Sequence, residues 1–100
     1  MPIGRAVYNG MFNERGTFES DLTVIRTAEE SFYLVTATAQ QGRDADWIKR
    51  HFPGNDSLIF RDITEEMDVV SVMGPKAFEL LGQVTGLSFD EGWPFGTSRM

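Results

Sequence analysis

The sequence predicts an α+β fold in which helices pack on an antiparallel sheet, in the order β-β-β-α-β-β-α. Three observations carry that prediction. Stretches rich in Val, Ile, Thr, Phe and Tyr alternate polar and apolar residues near the start, and short turn-forming loops join them. Apolar residues recur at helical spacing in later stretches. Glycine and proline punctuate the boundaries between these stretches.

The elements follow in order. Residues 5–12 form the first expected strand. The loop "NERG" comes next, and its Gly16 can take positive φ without steric cost. Residues 18–26 form the second strand, "TAEE" a turn, and residues 32–37 a third antiparallel strand. After the loop "TAQQG", residues 44–52 predict a helix: Ala45, Ile48 and Phe52 share a face, and Pro53 is the stop. Residues 57–63 and 67–73 alternate or run apolar and predict two more strands. Gly74-Pro75 opens a second helix and Gly82 closes it. "SFDE", from Ser88 to Glu91, fits a capping box for one further helical turn. The tail "GWPFGTSRM" has too much Gly and Pro to predict regular structure.

Composition narrows the function. One hundred residues suit one small domain or a piece of a larger one, and 41% hydrophobic residues with eight Phe suffice for a thin core. No stretch approaches the roughly 18 apolar residues that span a bilayer, and no basic-then-apolar signal opens the chain. A net charge of −6 argues against nucleic acid or an anionic membrane as partner. With no cysteine there are no disulfides, thiolate metal sites or Cys nucleophiles. No phosphate loop, dinucleotide fingerprint or His/Cys metal spacing occurs.

The residue that stands out is Asp21, in the middle of "NERGTFESDLTV". Aspartate is depleted in strands. By alternation, Phe18, Leu22 and Val24 share one face of the second strand, while Glu19, Asp21 and Thr23 share the other. A loop centred on residues 13–16 pairs Phe12 with Thr17 and so places Tyr8 opposite Asp21. Matching Leu22 and Val24 to the face of Phe32 and Leu34 leaves Tyr33, Val35 and Ala37 beside Asp21. Two tyrosines, a valine and one carboxylate then line one surface, a recipe for binding a planar polar ring. The plain alternative is a solvated aspartate on an open sheet face, with Tyr8 and Tyr33 as ordinary cross-strand partners.

Five blocks, "NERGTFESDLTV", "FYLVTATAQ", "RDADWIKRHF", "MGPKAFELL" and "WPFGTSR", together resemble the folate-binding aminomethyltransferase superfamily. That superfamily includes the glycine-cleavage T-protein and the C-terminal part of dimethylglycine and sarcosine dehydrogenases. The resemblance runs over nearly the whole chain and is closest to the dehydrogenase-like branch. Where the T-protein usually carries Asn, this chain has Ala37, a small residue as in that branch.

The resemblance implies a part of a larger T-protein-like domain that transfers a one-carbon (aminomethyl or methylene) unit to tetrahydrofolate. Asp21 matches the family's principal catalytic carboxylate, and Tyr8, Tyr33 and Val35 match folate-lining positions. Family domains run several times longer, and a pterin-gripping glutamate lies beyond the stretch matched here, so the chain holds one wall of the site. The implied partners are the folate, an amine-derived one-carbon unit and the remaining domains of the parent, one of which would carry any FAD. The fragment alone is expected to be inactive, and the parent to be cytoplasmic in a bacterium or in the mitochondrial matrix of a eukaryote. A non-catalytic folate-binding or interdomain-contact module is the alternative. Among the other polar residues, Glu19 and His51 are expected at the surface, and Asp44 and Asp46 favour the helix N-terminus through its dipole.

Overall fold

The structure, a computed structural model, describes residues 1–89 and 93–99. The chain divides into two compact units, one of Met1–Asp62 with Gly96–Met100 and one of Ile63–Phe95.

The first unit is built on a three-stranded antiparallel sheet in the order β1-β2-β3, with β1 at Ala6–Phe12, β2 at Phe18–Ala28 and β3 at Ser31–Thr36. The β2–β3 register sets Val24 opposite Leu34, Thr23 opposite Val35 and Ile25 opposite Tyr33. Strand β2 runs two residues further than the alternation suggests, which leaves only Glu29 and Glu30 for the turn. The Arg26 guanidinium supports this corner by donating to the carbonyls of Ala28, Glu29 and Met1.

A 3₁₀ turn, Thr38–Gln40, leads directly into helix α1, Gln41–Arg50. The helix therefore starts three residues before the expected position. "TAQQG" reads as a loop, but Gln and Ala are good helix formers once the preceding turn has nucleated the helix. The Trp47 and His51 rings meet at a tilt of 45° with centroids 4.5 Å apart, and His51 Nδ1 lies 2.7 Å from the Trp47 carbonyl oxygen, so His51 serves the helix end. The tail is more regular than expected. Ala6 donates to the Gly96 carbonyl, Ser98 donates to that of Gly4, and Arg5 forms an antiparallel bridge with Thr97, so the tail lies along the start of β1.

Burial is thin. Leu22 is the buried apolar residue among those described, and Ser20 and Asp44 are buried polar residues. The Ser20 hydroxyl donates to Gln40 Oε1 at 2.7 Å, whereas neither carboxylate oxygen of Asp44 has a hydrogen-bond partner among the described residues.

In the second unit, helix α2 spans Ala77–Thr85. It passes through Gly82, the expected end, and stops at Gly86, whose φ of 72° is the left-handed cap conformation that favours glycine. The Gly86 amide donates back to the Gly82 carbonyl at 2.9 Å.

The two later strands of the expected order are not formed. Residues 57–63 and 67–73 lie outside the sheet, and Ile59, Val69, Val70 and Met73 are between 74% and 94% exposed. Alternating, β-branched sequence favours an extended backbone, but a strand exists only when a neighbour takes its N–H and C=O groups. Among the described residues neither segment is paired into the sheet. The observed order is β-β-β-α-α, still an α+β arrangement. The helical turn expected at "SFDE" falls partly on residues 90–91, outside the described residues.

Candidate functional site

The site begins with a loop that one side chain templates. Asn13 Oδ1 accepts the amides of Arg15 and Thr17 at 3.0 and 3.1 Å. Its amide nitrogen donates to Thr17 Oγ1 at 2.6 Å and to Glu19 Oε1 at 2.8 Å. Gly16 completes the turn at φ 73°, and the Asn13 amide closes it on the Thr17 carbonyl at 3.0 Å. Asn13 therefore faces Thr17, and Phe12 faces Phe18, one residue away from the expected pairing of Phe12 with Thr17.

A second offset follows at once. Phe12 pairs with Phe18 but Met11 pairs with Ser20, so Glu19 is the extra residue of a β-bulge. Beyond the bulge Gly10 faces Asp21 and Tyr8 faces Thr23, rather than Tyr8 facing Asp21. The two single-residue offsets add to two, and because side chains alternate with a period of two, Tyr8 and Asp21 keep a common face.

Tyr8 reaches across the diagonal. Its hydroxyl donates to Asp21 Oδ2 at 2.5 Å. That hydrogen bond, with slight burial and the carboxylate charge, raises the Tyr8 phenol above its ordinary value. Asp21 Oδ1 has no hydrogen bond among the described residues. The rows across the sheet then read Tyr8–Thr23–Val35 and Ala6–Ile25–Tyr33, with Gly10–Asp21 above them. All four sequence-predicted site residues, Tyr8, Asp21, Tyr33 and Val35, lie on this face.

The bulge adds residues that alternation places elsewhere. Without it Phe18 would share the Leu22 face. With it, Phe18 stands beside Phe12 in an edge-to-face pair, centroids 5.6 Å apart and planes at 81°. Both rings lie over Gly10: a Cβ there would meet Phe12 Cε2 and Phe18 Cε2 at 2.8 Å. The aromatic residues on the Asp21 face are therefore Tyr8, Phe12, Phe18 and Tyr33, with Tyr33 opposite Ile25, four residues along β2 from Asp21 rather than beside it. Tyr8 is 70% exposed and the two phenylalanines 57%, so the rings are available to a ligand. The signal for Phe12 and Phe18 was the loop length, which a count of turn residues did not resolve.

Glu19 is not a freely solvated carboxylate. Besides the Asn13 amide it accepts Arg43 Nη2 of α1 at 3.1 Å. Asn13 first, and Arg43 second, hold its carboxyl below the ordinary range. Among the described residues Asp21 meets the Tyr8 hydroxyl and no cation.

The described residues contain no group of three or more metal-ligand side chains and no helix long and apolar enough to cross a membrane. In the second unit a groove of about 480 Å³ runs beside the start of α2, lined by Val72, Met73, Pro75, Ala77 and Leu80 among others. Lys76, Glu79 and Gln83 also line it.

Comparison with known proteins gives these residues a context. The model of the GCVT N-terminal domain matches residues 1–100. The chain is 36% identical over 91 residues to an aminomethyltransferase of Shouchella clausii, and 30% identical over 87 residues to one of Chloroherpeton thalassium. These matches cover 91% and 87% of this chain and 24% of each relative. It is also 29% identical over 85 residues to the mouse mitochondrial pyruvate dehydrogenase phosphatase regulatory subunit, covering 85% of this chain and 10% of that protein. The chain thus spans between a tenth and a quarter of the length of these relatives. No solved structure matches it. With its whole length matched by the family model, this chain belongs to the GCVT N-terminal domain family, within the glycine-cleavage T-protein superfamily.

Proposed function

We propose that the chain forms one wall of a tetrahydrofolate site in a one-carbon (aminomethyl or methylene) transfer domain of the dimethylglycine and sarcosine dehydrogenase-like branch. The observation that carries this reading is the Asp21 carboxylate on an aromatic face, held by the Tyr8 hydroxyl at 2.5 Å with its other oxygen open. The donor set suits a reduced pterin: flat rings for its faces, and an acceptor oxygen for its ring and exocyclic N–H groups. The aminomethyltransferase relatives point the same way.

When bound, tetrahydrofolate supplies the N5 and N10 nitrogens that take up a one-carbon unit. The role of this chain is to place a carboxylate beside those nitrogens. Asp21 orients the ring, accepts a proton released by an attacking amine and stabilises positive charge that develops there. Tyr8 fixes the Asp21 rotamer through Oδ2 and leaves Oδ1 for the ligand. Tyr33 and Val35, with the open side of Tyr8, pack the ring and exclude water. FAD, where the parent uses it, belongs to another domain, and the one-carbon unit comes from an oxidised N-methyl amine. The parent works in the cytoplasm of a bacterium or the mitochondrial matrix of a eukaryote, with its remaining domains as this chain's partners.

Asp21→Asn in the full-length parent tests this reading. It keeps the shape and removes the base and the charge. Folate binding is expected to persist while methylene-tetrahydrofolate formation is lost, and equal product formation by the Asn variant would refute it. The second reading is a non-catalytic folate-binding or interdomain-contact module. The mouse relative named as a regulatory subunit favours it. Binding with no turnover in the wild-type parent would select that reading.

A further inference from the structure

We infer that Glu19 is a positioning residue: as the bulged residue of β2, clamped between Asn13 and Arg43, it holds the Phe12–Phe18 pair over Gly10 as a ligand-facing shelf beside Asp21. The ligand-facing part of this inference rests on the folate reading above; the clamp does not.

The argument starts from the ladder. A bulge leaves one residue without a cross-strand partner and strengthens the local twist, so it persists only where something favours it over the regular pairing. Here the regular pairing would be a one-residue slip in which Phe18 returns to the face of Leu22. Glu19 opposes that slip with both oxygens. Oε1 takes the Asn13 amide from the loop at 2.8 Å, and Oε2 takes Arg43 of α1 at 3.1 Å. One anchor lies in the hairpin loop and the other in the helix, so the bulged residue is tied to two separate elements. The Glu19 side chain is 21% exposed, and Asn13 first, with Arg43 second, holds its carboxyl below the ordinary range.

The consequence is local and specific. With the bulge in place, Phe18 meets Phe12 edge to face, and both rings reach the space that any side chain at position 10 would occupy. Gly10 faces Asp21 directly across the ladder. The shelf is therefore placed by Glu19 but sits next to the carboxylate. Replacing Glu19 acts on the ligand only through Phe18, which marks it as positioning rather than catalytic.

The test reads the shelf itself. One Gly10 α-proton points where a Cβ would stand, within contact of both rings, so ring currents separate it from its geminal partner in the NMR spectrum of glycine-labelled full-length protein. Glu19→Ala is expected to collapse that separation while the contacts between Tyr8 and Thr23 persist. Glu19→Gln, which keeps an oxygen for Asn13 and loses the ion pair with Arg43, is expected to give a partial collapse. It serves as the readout should the Ala variant not fold. Titration with folinic acid, a stable reduced folate, is expected to show affinity about three- to tenfold weaker in Glu19→Ala, the scale of one aromatic contact. Phe18→Leu is expected to reproduce that loss. Unchanged Gly10 resonances in both Glu19 variants overturn the positioning role. Collapsed resonances with unchanged folinic acid affinity overturn the shelf as a ligand wall. If the wild type shows the separation but binds no folinic acid, the folate reading fails alone and the clamp stands.

Discussion

Placing a methyl group at position 10 probes the shelf without touching either carboxylate. In Gly10→Ala the new Cβ starts 2.8 Å from Phe12 Cε2 and Phe18 Cε2 and 3.0 Å from Phe12 Cζ. Ordinary carbon contacts lie at roughly 3.5–4.0 Å, so the rings must retreat by about 1 Å. Both are more than half exposed, so they can swing outward rather than strain the backbone. Retreat forfeits the edge-to-face pair, about 0.5–1.5 kcal/mol. Against this, removing a glycine from a strand recovers roughly 0.5–1 kcal/mol of backbone entropy. The two nearly cancel.

The expected result is therefore a dissociation of stability from binding. The thermal midpoint of Gly10→Ala should move by less than about 4 °C, the scale set by 1 kcal/mol in a chain of roughly 150–250 residues or more. Affinity for folinic acid in the full-length protein should fall about three- to tenfold, because the displaced rings intrude on the face beside Asp21. Calorimetric melting and ligand titration on one preparation measure both. A midpoint fall of more than about 10 °C would show that the rings cannot yield and that the pair is a structural support. Unchanged affinity with an unchanged midpoint would show that no ligand rests on the shelf.

Two further outcomes follow from the same geometry. Leu22 is the buried apolar residue of the sheet, 7% exposed, so Leu22→Ala should cost about 2–3 kcal/mol in urea unfolding, the low end of the range for a thin core; a loss under about 1 kcal/mol would mean that the sheet is held elsewhere. The phenol of Tyr8, read by phenolate absorbance in a Tyr33→Phe background, should titrate above its ordinary value of 10.0. Its raised folded value means that the stability from the Asp21 bond is fully present below pH 10.0 and is lost as pH rises through the folded value, and a midpoint at or below 10.0 would remove the bond to Asp21 from the account.

What could be read in the sequence divides along the distance over which each rule acts. Alternation is a property of neighbouring residues, so the face shared by Asp21, Tyr8, Tyr33 and Val35 was legible from β2 and its partners. Register is a property of the loop. "NERG" names a turn, but nothing in four letters says that Asn13 will template a wider loop with both ends of its amide, or that Glu19 will be pushed out of the ladder to meet Arg43, 24 residues on. Each event alone would have turned Asp21 away from Tyr8. Together they restore the parity and shift the tyrosine by one rung, which is why the phenol meets the carboxylate along a diagonal. Phe18, lying between the two offsets, feels only one of them and changes face. The segments at 57–63 and 67–73 differ for another reason: alternation is a local preference, but a ladder needs a partner strand, and pairing is the one property that a strand's own sequence does not contain. The same parity argument explains why the bulge is the element to perturb. Removing it would leave Tyr8, Asp21, Tyr33 and Val35 individually unaltered, yet the single-residue slip would set Phe18 and the loop against the opposite face, and a site assembled from two strands would lose one side of its wall without the loss of a single functional side chain.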